Sequence, residues 1–501
     1  MNSLNELIPY LKKGVIPISE TIHVYEKSLF KYEDSYIVMI KDKNKKYLIC
    51  TGQSNLLHDL EGKNIDNVSK LCDLTHENRL ILNNYFPFTV PRAFGRNEIT
   101  VGLGDRIGMA TPGHIKSIQE SNAKPIFAQQ SIRELNLTNR TMEDVIDCAA
   151  FSVFQEGYIL GYGADGDHLK DELDISREIN LGISMLTLDC SDYIKNNLDL
   201  ENEYSINLLY DELDEKFKRH YEATYLNQVF QLKNTILTYT EKDLKKAAII
   251  YSAAIQYMIY IYQNYIQPLD RSIDFEISID ETQTVTTPHD HFFVANELNT
   301  HNIMITSMAP RFCGEFQKGI DYIGDIDLFN KELHIHSQIA DYFKYKLSIH
   351  SGSDKFSIYN SISQITNQRF HLKTAGTNWL EALRLIAKVK PDLYEEIFNY
   401  SYNHFNETQK FYHITPNLNN ITPLQNIEYK DYYTHLNNDN VRQLLHVSFG
   451  ILLTAKDNKG NFLFKNRLQT IWNEHEEDYH EIIRKHINKH LKLLNLIKPS
   501  A

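Results

Sequence analysis

Cysteine is scarce in this chain: five among 501 residues, Cys50, Cys72, Cys148, Cys190 and Cys313. They are odd in number, scattered and without a Cys-x-x-Cys pair, which excludes a disulfide framework and leaves the reduced thiols of a cytoplasmic protein. Long apolar runs are missing too. The one candidate membrane segment, residues 247–266, is interrupted by Ser252, Gln256, Gln263 and Asn264 and closed by Pro268, so it reads as a buried helix. The N-terminus carries an early acid, Glu6, and no apolar core of a secretory signal. Basic charge is in deficit, with 52 Lys and Arg against 65 Asp and Glu, a net −13 that repels polyanions and argues against nucleic-acid binding. Repeats, low-complexity tracts, a Walker A sequence and a GxSxG elbow are absent. Gly102-Leu103-Gly104-Asp105-Arg106-Ile107-Gly108 has the wrong spacing for a dinucleotide fingerprint, and Pro112-Gly113 falls where the phosphate-binding helix should run.

What is present is a hydrophobic content of 42%, enough for one large core with accessory layers or about three ordinary domains. Residues 1–95 hold short alternating runs around a charged turn, Lys41 to Lys46, and read as a small α/β accessory region containing a hairpin. Over 96–390, apolar strand candidates ending in Gly, Asp, His or Lys alternate with helical patterns. The candidates are Ile99–Leu103, Pro125–Ala128, Tyr158–Tyr162, Ile183–Leu188, Phe275–Ile279, Ile303–Met308, Tyr345–Ile349 and Phe370–Leu372. Eight such units predict an α/β fold of the (β/α)8 TIM-barrel type rather than a doubly wound open sheet, with the reactive side chains gathered on the face beyond the strand C-termini. Residues 206–268 form a helical insertion between the fourth and fifth strands. Residues 391–501 read as helices packed on the outside or on a partner subunit, which leaves a homo-oligomer open.

Chemistry concentrates first in Gly161-Tyr162-Gly163-Ala164-Asp165-Gly166-Asp167-His168-Leu169-Lys170, expected as a loop after a strand. Asp167 is a candidate base. His168 and His350, each expected just past a barrel strand, are candidate ligands of one divalent metal, with a carboxylate as third ligand. Period-two counting puts Glu276, Ser278 and Asp280 on one face of the fifth strand, so Glu276 points inward as a catalytic acid or a buried ion-pair member. Glu315 is a third carboxylate of interest, with Arg311 before it. Arg311, Lys170, Lys355 and Lys373 are candidate grips for an acidic substrate. His289 and His291 form a weaker ligand pair, His334 and His336 read as solvated or core, and the histidines from His475 to His490 read as a solvated helix face.

Several strings, VGLGDRIGMATPGHI (101–115), KPIFAQQSIREL (124–135), GYGADGDHLK (161–170), APRFCGEFQKGIDYIGD (309–325), SIHSGSDKFSIY (348–359) and TAGTNWLEALR (374–384), resemble the bacterial tagaturonate epimerases over about 95–450. That resemblance implies a divalent-metal enzyme interconverting the small sugar acids D-tagaturonate and D-fructuronate. It implies Asp167 as proton acceptor, Glu276 as proton donor, and His168 with His350 as metal ligands. By chemistry Glu315 fits the third ligand position. Inversion at C4 of a sugar acid with its ketone at C2 cannot begin by removing a proton next to that ketone, because C4 lies one carbon too far. A retro-aldol and re-addition sequence is therefore expected. A metal-dependent sugar-acid aldolase and a non-catalytic sugar-binding barrel are the alternatives.

Overall fold

A computed structural model describes residues 2–196, 198–282, 284–374 and 376–497. Its centre is a closed barrel of eight parallel strands, in chain order Thr100–Gly102, Lys124–Ser131, Gly163–Leu169, Met185–Asp189, Asp274–Ile279, Ser307–Pro310, Lys346–Ile349 and Phe370–Lys373. The eighth strand closes on the first, with Lys373 opposite Gly102. Helices cover the barrel, so most of its strands are buried on both faces and read as apolar runs. Phe275, Ile277 and Ile279 face the helical layer, and Glu276 and Ser278 the interior, all essentially inaccessible.

The third strand corrects the expectation. Tyr158–Tyr162 is not extended, because Gly157 and Gly161 take left-handed backbone angles (φ 59° and 85°) and leave Ile159 and Leu160 on the surface. The polar run that follows is itself the strand, hydrogen-bonded on both sides to the second and fourth. Asp165 and Asp167 therefore point into the barrel by strand alternation instead of riding on a loop. The sixth strand also starts later, at Ser307, after a left-handed Asn302.

Ahead of the barrel, an antiparallel sheet contains the expected hairpin, Ser35–Asp42 paired with Lys45–Thr51. Phe30, Phe86 and Phe88 of this region pack on Phe154 of the barrel helix Met142–Gln155. Between the fourth and fifth strands run helices Glu203–Asp211, Glu215–Tyr225 and Glu241–Ile261, with a two-stranded pairing of Phe230–Gln231 and Ile236–Leu237. Thr240 and Asp243 cap the longest of them reciprocally. Among the described residues, no helix is long and apolar enough to cross a membrane.

The last helix, Glu476–Leu493, packs on the helices Thr111–Ile118 and Thr377–Val389. Its histidines are not the solvated face expected: His480 and His490 are buried and His486 is nearly so. The helix carries charge on its outer side and still inserts a histidine stripe into the seam against the barrel. At its start, Glu476 receives Lys41 (2.6 Å), Lys46 (2.5 Å) and the Tyr25 hydroxyl (2.8 Å), tying the N-terminal sheet to the C-terminal helix.

Candidate active site

A cavity of about 440 Å³ opens at the C-terminal ends of the strands and is lined by Asp167, His168, Lys170, Asp280, Lys318, His350 and Lys373, among others. These residues come from five barrel strands and the segments after them, and the barrel brings them together.

Lys373, at the end of the eighth strand, is the hub. Its Nζ lies 2.5 Å from Asp167 Oδ1, 2.6 Å from Thr187 Oγ1, 3.0 Å from Asp165 Oδ2 and 3.2 Å from Glu276 Oε1. Burial draws its pKa down, but the charges of Asp165, Asp167 and Glu276 overcome that and hold it an ammonium. In return Asp167 and Glu276 stay well below the usual carboxylate range despite burial, Asp167 through Lys373 and His168, Glu276 through Lys373 and His350. Asp165, as inaccessible as Glu276, is instead pushed up by burial and by its neighbours' charges, which Lys373 does not fully offset.

The two histidines meet. Their ring centroids are 4.8 Å apart, and His168 holds a left-handed backbone angle (φ 58°) that turns its ring to the cavity. His168 Nδ1 lies 2.7 Å from Asp167 Oδ1, and His350 Nε2 lies 2.8 Å from Glu276 Oε1. A carboxylate accepting an N–H from each ring leaves His168 Nε2 and His350 Nδ1 as lone-pair donors, the tautomers of a metal-ready pair. His350 Nδ1 also sits 3.0 Å from Asp280 Oδ1, poorly aligned for a hydrogen bond. Two acceptors at that separation need a proton or a cation between them. With a proton, burial is overcome by Asp280 and Glu276 and the His350 pKa stands at about 10, while Asp280 drops to about 2. Candidate ligand atoms of His168, Asp280 and His350 all lie within 4.8 Å of one another. Two imidazoles and one carboxylate fit a divalent transition metal with room for substrate oxygens.

Glu315 is not part of this set. The segment after the sixth strand folds back on itself through a bridge between Glu315 and Ile323, and the exposed Glu315 carboxylate bonds Gln317 and His413. Asp280, not Glu315, is the carboxylate grouped with the two histidines. Period-two counting had already placed it on the inward face with Glu276, and its position just past the fifth strand was the signal to weigh. Lys355 is fully buried and donates to the carbonyls of Gln317 (2.8 Å), Ile320 (2.5 Å) and Ser353 (3.1 Å), so it braces loops and does not reach the cavity. Arg311 lies beside Glu315, its backbone paired with Thr286, and is not among the lining residues. Lys170 does line the cavity, at its rim, bonded to Ser191 (2.6 Å) and Asp192 (2.9 Å). Glu276 lies behind His350 and Lys373, outside the cavity wall. Neither His289 nor His291 is a ligand here: the His289 ring bonds the Thr238 carbonyl, and the buried His291 pairs with His336 and the Tyr345 hydroxyl.

Sequence reasoning missed Lys318. Its ammonium lines the cavity, bonds Ser351 Oγ at 2.9 Å, and has its pKa drawn down by burial. Arg106, also lining, is spoken for by Glu134 and the His446 carbonyl.

Comparison with known proteins adds three findings. The family model for tagaturonate epimerase matches residues 25–494. The chain is 38% identical over 480 residues to the tagaturonate/fructuronate epimerase of Thermotoga maritima, covering 94% of this chain and 96% of that protein. Crystal structures of the fructuronate-tagaturonate epimerase UxaE from Cohnella laeviribosi are similar throughout. A glycerol complex gives a TM-score of 0.95 at 50% identity, covering 99% of this chain and 100% of that one, and the native form gives 0.94 at 49%.

Proposed function

Because the chain belongs to the tagaturonate epimerase family and is an isomerase of that family, we propose that it interconverts D-tagaturonate and D-fructuronate by inverting C4 through retro-aldol chemistry. The observation that carries this reading is the contact of Asp167 with both Lys373 and His168, beside His350 and Asp280 in one cavity. An ionised base, an ammonium and a ligand set are the parts needed to break and remake one carbon–carbon bond.

In this reading Asp167, held ionised, takes the proton of the C4 hydroxyl. The C3–C4 bond breaks, the C4 oxygen becomes an aldehyde, and the bonding pair moves to C3 and the C2 carbonyl oxygen. The aldehyde turns its other face to C3, the bond re-forms, and Asp167 returns the proton to the C4 oxygen. Glu276 is held ionised, so the donor role implied for it falls to the Lys373 ammonium that contacts both carboxylates. Glu276 otherwise fixes the ring of His350, as Asp167 fixes that of His168. A divalent cation held by His168, His350 and Asp280 supplies, when bound, a Lewis acid for the substrate oxygens at C2 and C3. Lys318 takes the substrate carboxylate, and Lys170 covers the rim. The five unpaired thiols suit the cytoplasm, where we place the enzyme.

The test is to strip the protein with chelator, reload it with Mn²⁺, Co²⁺, Ni²⁺ or Zn²⁺ in turn, supply D-fructuronate and follow D-tagaturonate by chromatography. The expected result is interconversion with at least one ion and its loss in His168→Ala. No tagaturonate with any ion overturns the assignment, and accumulation of free fragments makes the enzyme an aldolase instead.

A further inference from the structure

The buried histidine stripe of the last helix ends in a cluster that the proposed reaction does not use. Asp354 closes the loop that begins at His350 and holds a left-handed backbone angle (φ 61°). His486 and His490, one turn apart on the helix Glu476–Leu493, face it. We propose that Asp354, His486 and His490 form a second site, structural in role, for a divalent transition metal of the zinc class that clamps the last helix to the loop carrying His350.

The distances suit ligands better than hydrogen bonds. His486 Nε2 and His490 Nε2 each lie 3.5 Å from Asp354 Oδ1, and candidate ligand atoms of all three residues are mutually within 4.8 Å. A hydrogen bond here would be about 2.7–3.2 Å. Ligands about 2.0–2.1 Å from a tetrahedral zinc stand about 3.4 Å apart. Asp354 Oδ1 is buried and has no hydrogen-bond partner, while Oδ2 is held by Arg442 Nη2 at 2.6 Å. Such an oxygen is destabilising when left unpaired.

The rings are set up as ligands. His490 donates Nδ1–H to the His486 carbonyl (2.9 Å), which leaves the Nε2 lone pair facing Asp354. The Asp354 backbone N–H donates to that same nitrogen at 3.2 Å, a hydrogen bond that a bound ion would replace. His486 Nε2 lies 3.0 Å from the Thr377 hydroxyl, and its Nδ1 lies 3.8 Å from Glu381 Oε1, an outer acceptor for that N–H. Asp354 Oδ1, buried without a donor, thus faces two imidazole nitrogens whose present partners are the Thr377 hydroxyl and the Asp354 N–H. Access comes from a cavity of about 490 Å³ that both Asp354 and His486 line, separated from the active-site cavity by Gly319, which lines both.

The inference stands apart from the epimerase assignment and is tested on protein from which the active-site ligands have been removed. Full-length His168→Ala/His350→Ala protein is stripped with chelator, dialysed against Zn²⁺ and analysed by plasma emission. About one zinc per chain is expected to remain, and Co²⁺ in its place should give the visible absorption of a tetrahedral ion. Adding Asp354→Asn or His490→Gln should reduce retention to under about a tenth, and zinc should raise the melting temperature by several degrees only where those residues are intact. If the doubly substituted protein keeps no zinc, or if either folded third substitution keeps it all, the site does not exist.

Discussion

His350 Nε2 lies 2.8 Å from Glu276 Oε1, and that contact decides which ring nitrogen faces Asp280 and the cavity. Glu276→Gln replaces an obligatory acceptor with a group that can donate, so the ring is no longer locked. Metal affinity should fall about 10–100-fold, read by competition with a chromophoric chelator. Unchanged affinity would remove Glu276 from the orienting role.

Asp167→Asn removes the proposed base and retains the shape of the side chain. Turnover of D-fructuronate per bound ion should fall about 10²–10⁴-fold, beyond any loss of metal affinity from His168 losing its acceptor. A loss of metal without a loss of turnover per bound ion would instead make Asp167 an orienter of His168 only.

Lys373→Met leaves Asp165, Asp167 and Glu276 in the barrel without their shared cation. Breaking a buried ion pair from one side costs about 3–5 kcal/mol, so urea unfolding near neutral pH should shift by that order. The loss should shrink in acid, where the carboxylates are protonated in both proteins.

Glu178 sets a pH dependence of the opposite kind to an ordinary surface acid. Its carboxylate is inaccessible behind Gly166, neither oxygen has a hydrogen-bond partner, and burial raises its pKa to about 8. The folded protein therefore keeps a proton that the unfolded chain releases near pH 4.5. On this account stability falls as pH rises from about 4.5 to about 8 and is level beyond. Glu178→Gln should remove that slope and stabilise the protein by about 1–3 kcal/mol at pH 8.5, measured by urea unfolding at pH 5 and 8.5.

Most of the barrel was legible because strands buried on both faces print as apolar runs with polar ends. Gly163–Leu169 was not, since nothing in GADGDHL favours a strand locally; its two neighbours in the closed barrel impose the conformation. Among the cations, Lys355 and Lys373 look alike in sequence, each near a strand end. Only the packed structure shows carboxylates around one and backbone carbonyls around the other. Glu315 was chosen for its chemistry, and the fold-back of its loop decides against it. Asp280 was in view on the counted face but not weighed as a ligand. The histidines of the last helix misled because the charges around them face outward while the rings turn inward.

That last helix grips the N-terminal sheet at Glu476 and the loop of His350 at Asp354, yet ribosomes make it after every barrel strand. The loop bearing His350 thus takes its brace from a segment 136 residues further along the chain. A nick or a frayed end in the last helix would therefore loosen the active centre and not only the surface that the helix covers.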